Sequence, residues 1–168
     1  MTEHPRLSIR PATAADGQAL ARIYNPYILD TIVTFEEAPV SAAEMAERVS
    51  EVRALSLPWL VGERDGQLLG YAYAARWRTR VSYRYSTETT VYLEPGQGGK
   101  GYGFRLYAAL LEALGGTDIH VAIGGIALPN APSVALHEKL GFTKVAQFPE
   151  VGFKLGRWVD VGYWQKLL

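Results

Sequence analysis

The chain has 168 residues, 48% hydrophobic and 20% charged, with seventeen basic and seventeen acidic side chains that cancel. That length suits one domain, read as residues 1–168, with a sizeable core, and the charge balance argues against a general nucleic-acid binder. The absence of cysteine excludes a disulfide framework, a thiolate metal site and a cysteine nucleophile; with no signal-like or membrane-spanning apolar run, a cytoplasmic protein is expected.

Taken in order, Leu7 to Arg10 reads as a short strand. Thr13 with Asp16 opens a helix carrying Ala19, Leu20, Ile23 and Tyr24 on one face, and Asn25-Pro26 is expected to end or bend it. Tyr27 to Pro39 has no period and reads as a loop, with short helix or strand allowed. Ser41-Ala-Ala-Glu44 is a capping-box pattern, starting a second helix through about Arg53. Trp59 to Gly62 and Leu68 to Ala75 are strands joined by a turn at Asp65-Gly66. A basic, aromatic stretch follows, with Arg76, Trp77, Arg78, Arg80, Tyr83, Arg84 and Tyr85.

The run from Glu88 to Leu111 organises the rest. Thr89 to Leu93 are β-branched, aromatic or apolar, as a partly buried strand requires. Pro95 and Gly96 stop it, glycines follow at 98, 99, 101 and 103, and a helical apolar pattern starts at Phe104. The free N–H groups at such a helix start, with glycines that let a ligand come close, suit a phosphate or pyrophosphate. A P-loop is excluded because Lys100 is followed by Gly101. The dinucleotide fingerprint is met nominally by Gly96, Gly98 and Gly101 with Asp118, but Asp118 precedes the next apolar run instead of ending a strand. Ile119 to Ile123 is the next strand. Asn130-Ala-Pro-Ser133 introduces a helix through Leu140, closed by Gly141, and Thr143 to Gln147 and Arg157 to Gln165 are the last strands. The sum is an α/β (α+β) domain: a mixed, mostly antiparallel twisted sheet of six to seven strands with about four helices.

Gly98-x-x-Gly101-x-Gly103 directly after a strand resembles the pyrophosphate loop of the GCN5-related N-acetyltransferases (GNAT), where Gln or Arg usually stands at the place of Gly98. Ile9-Arg10-Pro-Ala with Asp16, and Asn130-x-x-Ser133 followed by Leu136-His137 and Gly141-Phe142, resemble the opening and the last cofactor-binding helix of that family. Thr87-Glu88-Thr-Thr-Val91-Tyr92, Leu128-Pro-Asn-Ala-Pro-Ser133 and the tail Gly152-Phe-Lys-Leu-Gly156-Arg-Trp158 resemble the phosphinothricin and methionine sulfoximine or sulfone acetyltransferases within it. The resemblance implies the GNAT fold, acetyl-CoA as cosubstrate, direct transfer to the amine of a small anionic amino acid-like substrate, no metal and a homodimer. Acetylation of another amine, such as a peptide N-terminus or polyamine, and a non-catalytic acetyl-CoA-binding module are the alternatives.

By the same resemblance, the catalytic candidates are Glu88 as general base, directly or through water, and His137 as proton donor to the departing thiolate. Read on position alone, Glu88 is an ordinary exposed strand glutamate or an ion-pair partner of a nearby arginine, and His137 a helix-surface histidine bonded to solvent or backbone. Cofactor contacts are expected from the backbone of Val91, Tyr92 and Leu93, from Gly98, Gly99, Lys100, Gly101, Tyr102 and Gly103, and from Asn130 and Ser133. Arg78, Arg80 and Arg84 suit carboxylate or phosphinate oxygens, with Phe35, Trp77 and Tyr83 as pocket walls. A solvated basic loop and aromatic core packing account for the same residues.

Overall fold

A computed structural model describes residues 6–168. In chain order the elements are β1 (Ser8–Pro11), α1 (Gly17–Asp30), α2 (Ala42–Ala54), β2 (Trp59–Arg64), β3 (Gln67–Arg76), β4 (Ser86–Leu93), α3 (Tyr102–Gly115), β5 (Val121–Leu128), α4 (Ala131–Lys139), β6 (Thr143–Lys154) and β7 (Arg157–Leu167). Single 3-10 turns stand at Ala14–Asp16 and Val81–Tyr83. The strands form one sheet in the order β1-β2-β3-β4-β5-β7-β6, antiparallel everywhere except between β4 and β5. Among the described residues this gives a mixed seven-stranded sheet with four helices, the arrangement expected of the GNAT fold.

Helices cover both faces. Leu20, Ile23, Tyr24 and Ile28 of α1 and Met45, Val49 and Val52 of α2 bury against Trp59, Val61 and Tyr71. On the other face Leu106, Leu110 and Leu114 of α3 pack on Leu69, Ala72 and Ala74, and Tyr107 joins a third cluster with Phe142 and Trp164. Since a strand alternates its side chains between faces, Tyr71 and Ala72 of β3 serve opposite layers.

One interruption in the sheet makes the cleft. β4 pairs with β3 along its length, from Thr87 opposite Arg76 to Leu93 opposite Gly70, but meets β5 only at Ser86, Thr87 and Glu88. Beyond Glu88 the two parallel strands part, and β5 continues on β7 alone. The edge of β4 from Thr89 to Leu93 therefore faces a gap instead of a neighbouring strand. At its end the Leu93 carbonyl is taken by the Tyr27 hydroxyl at 2.5 Å, and among the described residues the backbone groups before it lack a strand partner on this side.

Three expected boundaries are corrected. Asn25-Pro26 neither ends nor interrupts α1, which runs to Asp30. Proline removes one helical hydrogen bond, but Tyr24 and Ile28 are buried on the same face, and the Asn25 amide bonds both backbone groups of Val40. The segment from Tyr27, read as a loop with short helix or strand allowed, thus begins with a helical turn. The strand expected to end at Ile123 starts at Val121 and continues through Gly124-Gly125 to Leu128, because β7 supplies partners to its end. The strand expected to end at Gln147 extends to Lys154 through a register shift between Phe148 and Gly152, where the edge position tolerates Pro149.

Candidate active site

The glycine turn between β4 and α3 has the form of an anion cradle. Gly101 is the N-cap of α3 at φ 79°, and no side chain caps this helix end. The N–H groups of Tyr102, Gly103 and Phe104 thus begin the helix without intrahelical partners; the first bond is from Arg105 to the Gly101 carbonyl. A Cβ at Gly96, Gly98, Gly99 or Gly101 would meet nothing within 4 Å. The space beside these four glycines is open to a ligand instead of being filled by protein. They border a cavity of about 490 Å³ together with Val91, Tyr92, Leu93, Gly103, Asn130 and Ser133. The residues fit acetyl-CoA: uncapped N–H groups and an open glycine turn for the pyrophosphate, and the free edge of β4 for an amide-containing arm. Lys100 is at the turn with its Nζ donating to Gln97, and Tyr102 is buried, its hydroxyl accepting from Arg64. Asn130 caps α4 by accepting the Ser133 N–H at 3.2 Å.

On the far side of β4 lies a second cavity of about 420 Å³ containing Glu88. Its walls are Tyr24, Phe35, Tyr73, Tyr92 and Tyr163, with Thr34, Thr90, Gly125 and Val151. A narrow space of about 50 Å³ lined by Val33, Thr90, Tyr92, Gly125, Asn130 and His137 shares residues with both cavities and links them past the free edge of β4. Among the described residues no side chain pairs with Glu88. Burial pushes its carboxyl above the ordinary value of 4.5, and the positive charge of Arg78 offsets part of that rise. An unpaired carboxylate whose affinity for a proton burial raises, at one end of a passage to an anion cradle, is equipped to act as a proton acceptor.

His137 is not on the helix surface. It is 5% exposed, and the missing side chain of Gly124 makes room for its ring. Nδ1 lies 2.7 Å from the Ser133 carbonyl, which only accepts, so Nδ1 carries the proton and Nε2 accepts. The Tyr107 hydroxyl, 3.0 Å from Nε2, is therefore the donor, and it accepts in turn from Thr89 Oγ1 at 2.6 Å. Burial lowers the pKa of His137, so the imidazole is neutral at pH 7 with both nitrogens engaged.

The arginine segment divides. Arg78 stacks on Trp77, whose ring meets Tyr163 edge-on, and Arg78 is the cation that acts on Glu88. Arg78, Thr79, Arg80 and Tyr83 border a separate surface recess. Arg84 folds onto Tyr85 and the Val81 carbonyl. Among the described residues Arg76, Arg78, Arg80 and Arg84 make no ion pair. Of the expected substrate residues, Phe35 and Glu88 line the inner cavity; Trp77 and Arg78 stand behind it; Arg80, Tyr83 and Arg84 lie outside it. Sequence reading missed Thr34, Tyr73, Thr90 and Tyr163 as walls, Tyr107 and Thr89 as partners of His137, and Gly124-Gly125 as the bare stretch of β5 between His137 and Glu88. Two adjacent glycines inside a strand are a signal of close approach that was available beforehand.

Comparison with known proteins shows the family. A family model described as an acetyltransferase (GNAT) domain matches residues 9–162. A phosphinothricin N-acetyltransferase of Streptomyces viridochromogenes is 38% identical over 98% of this chain and 89% of its own. An L-methionine sulfoximine/L-methionine sulfone acetyltransferase of Salmonella typhimurium is 37% identical over 95% of this chain and 93% of its own. Among solved structures, a Salmonella typhimurium acetyltransferase with its cofactor acetyl-CoA superposes with a TM-score of 0.94 at 37% identity, covering 97% and 94% of the two chains. A Sinorhizobium meliloti phosphinothricin acetyltransferase in complex with acetyl-CoA gives 0.93 at 36%, covering 96% and 88%.

Proposed function

Because the chain belongs to the GNAT acetyltransferase family, we propose that it transfers the acetyl group of acetyl-CoA to the amine of a small amino acid-like substrate of the phosphinothricin or methionine sulfoximine type. The observation that carries this is the linked pair of cavities, with an anion cradle at one end and an unpaired, proton-accepting Glu88 at the other. Bound acetyl-CoA supplies the acyl group as a thioester. The turn from Gly98 to Gly103 holds the pyrophosphate through backbone N–H groups, and Val91 to Leu93, with Asn130 and Ser133, hold the arm. Glu88 takes the proton of the substrate ammonium, directly or through a water, which frees the amine's electron pair for attack. Arg78, whose charge acts on Glu88 from behind the cavity wall, is the cation that draws the acid end of the substrate. With Nδ1 given to Ser133, His137 is an oriented, neutral group at the passage between cavities. The amine's second proton leaves with the departing CoA thiolate. His137 could relay it only after Nε2 had gained it, and Tyr107, whose hydroxyl proton burial holds more tightly than usual, orients that nitrogen instead of supplying the proton.

The reading also includes a homodimer and a cytoplasmic location. β6 is an edge strand, and its hairpin exposes Phe148, Val151, Phe153, Leu155 and Trp158. A run of exposed apolar side chains on an edge suits pairing with a second copy of the same surface. The functional test is release of free CoA with a panel of amines: L-phosphinothricin, L-methionine sulfoximine, L-methionine sulfone, a polyamine and a peptide N-terminus. Turnover confined to the amino acids is expected. Turnover of the polyamine or the peptide alone would overturn the substrate assignment, and acetyl-CoA binding without turnover of any would make the chain a binding module.

A further inference from the structure

We propose that Gly152 and Lys154, at the tip of the β6–β7 hairpin, are positioning residues for the acceptor amine, acting through Thr34 and Phe35; this rests on the Glu88 cavity being the acceptor site. The segment from Thr31 to Val40 has no strand or helix of its own, yet Thr34 and Phe35 line that cavity. The segment's own bonds are two local side-chain ones, Val33 N–H to Thr31 Oγ1 and Glu36 N–H to Thr34 Oγ1, so its place over the cavity depends on contacts from outside it. One set comes from α1 and α2. The Tyr24 hydroxyl bonds Thr34 and Glu36, Arg48 grips Glu36 with two bonds, and Asn25 holds Val40. The other set comes from the hairpin, 120 residues further along the chain.

Lys154 is 2% exposed in a tip whose neighbours Phe153 and Leu155 face solvent. Its Nζ donates to the Thr34 carbonyl at 2.6 Å and lies 3.5 Å from the Tyr27 carbonyl in the last turn of α1. An ammonium there meets the negative end of the helix. Gly152 acts by having no side chain. The Phe35 ring lies against its backbone, and a Cβ would overlap the ring carbons. Gly152 is not among the residues with positive φ, so alanine suits its backbone and only the ring must yield. The lysine thus fixes the height of Thr34, and the glycine sets where the ring beside it comes to rest.

The test uses Gly152→Ala, Phe35→Ala, their double variant and Lys154→Met in the full chain, with L-phosphinothricin and L-methionine sulfone as acceptors. Gly152→Ala and Phe35→Ala are each expected to raise the acceptor KM about tenfold while the acetyl-CoA KM stays within about twofold, and the double variant to be no worse than Phe35→Ala alone. Unchanged acceptor KM in Gly152→Ala, or effects that multiply in the double variant, would overturn the proposal. If Gly152→Ala does not fold, removing the ring with Phe35→Ala must restore folding; no restoration overturns it as well. Lys154→Met is expected to show the same KM split, and an equal rise in acetyl-CoA KM would make it merely structural. Ring-labelled phenylalanine spectra test the clamp without turnover. Of the five phenylalanines, Phe35 is expected to shift in Gly152→Ala and Lys154→Met. Unmoved Phe35 signals overturn the clamp, whereas moved signals with neither acceptor turned over by the parent overturn only the acetyl-transfer reading.

Discussion

Placing a carboxylate at position 98 tests the cofactor cradle with the least disturbance to the fold. Gly98 is not among the positive-φ glycines, and a Cβ there meets nothing within 4 Å, so Gly98→Asp strains neither backbone nor neighbours. Its side chain enters the cavity assigned to the pyrophosphate. Two like charges about 5 Å apart repel by roughly 3 kcal/mol at an effective dielectric of about 20, and salt and solvent at this open turn reduce that to about 1.4–2.8 kcal/mol. Each 1.4 kcal/mol is about tenfold, so acetyl-CoA Kd by titration calorimetry is expected to rise roughly ten- to a hundredfold, partly recovering at high salt, with Tm unchanged. Gly101→Ala is the contrasting variant. At φ 79° an L-residue costs about 1–2 kcal/mol, or roughly 2–8 °C of Tm for a chain of this size, so here stability falls along with binding. Parental acetyl-CoA affinity in a folded Gly98→Asp would refute the placement.

Arg78→Ala is expected to raise the KM of the amino-acid acceptor about tenfold or more, whereas Arg84→Ala, whose side chain is turned onto Tyr85, changes it by less than about twofold; equal effects would mean that the segment is structural. Tyr107→Phe leaves Nε2 of His137 as a buried acceptor without a donor and is expected to cost about 1–3 kcal/mol in denaturant unfolding; long-range nitrogen spectra of the parent should show the proton on Nδ1, and a proton on Nε2 would contradict the hydrogen-bond assignment. Trp158→Glu and Phe153→Asp are expected to convert a dimer into monomers by sedimentation, while a monomeric parent would remove the dimer.

Much of the fold was legible because its signals are local. The capping box at Ser41 and Glu44 forms as expected and starts α2, and Asp65-Gly66 turns the β2–β3 hairpin. What was missed is decided by distant partners. Asn25-Pro26 reads as a stop or a bend, but Asn25 is tied to Val40 and Ile28 is buried in the core, so the helix does not stop there. β5 and β6 run longer than their own patterns suggest because β7 offers partners along its full length. At the site, the Gly98–Gly103 turn and Glu88 were visible as a motif and as the head of a strand. The burial of His137, its bond to Tyr107 thirty residues away and the separation of Arg80 from the Glu88 cavity depend on side-chain directions that spacing does not encode.

The most direct measurement is kcat/KM against pH, with L-phosphinothricin or L-methionine sulfone, for the parent and Glu88→Gln. Burial raises the Glu88 carboxyl above 4.5, so the folded protein holds that proton more tightly than the unfolded chain, and its ionisation removes stability as pH rises through that window. Glu88→Gln should therefore melt no lower than the parent at pH 7, which separates lost turnover from lost fold. The parent is expected to show an acidic limb above the ordinary carboxylate range. Glu88→Gln is expected to lose that limb and about 10²–10⁴-fold in kcat, with acetyl-CoA Kd little changed. A folded Glu88→Gln with near-parental kcat and the same acidic limb would contradict the assignment of Glu88 as the base.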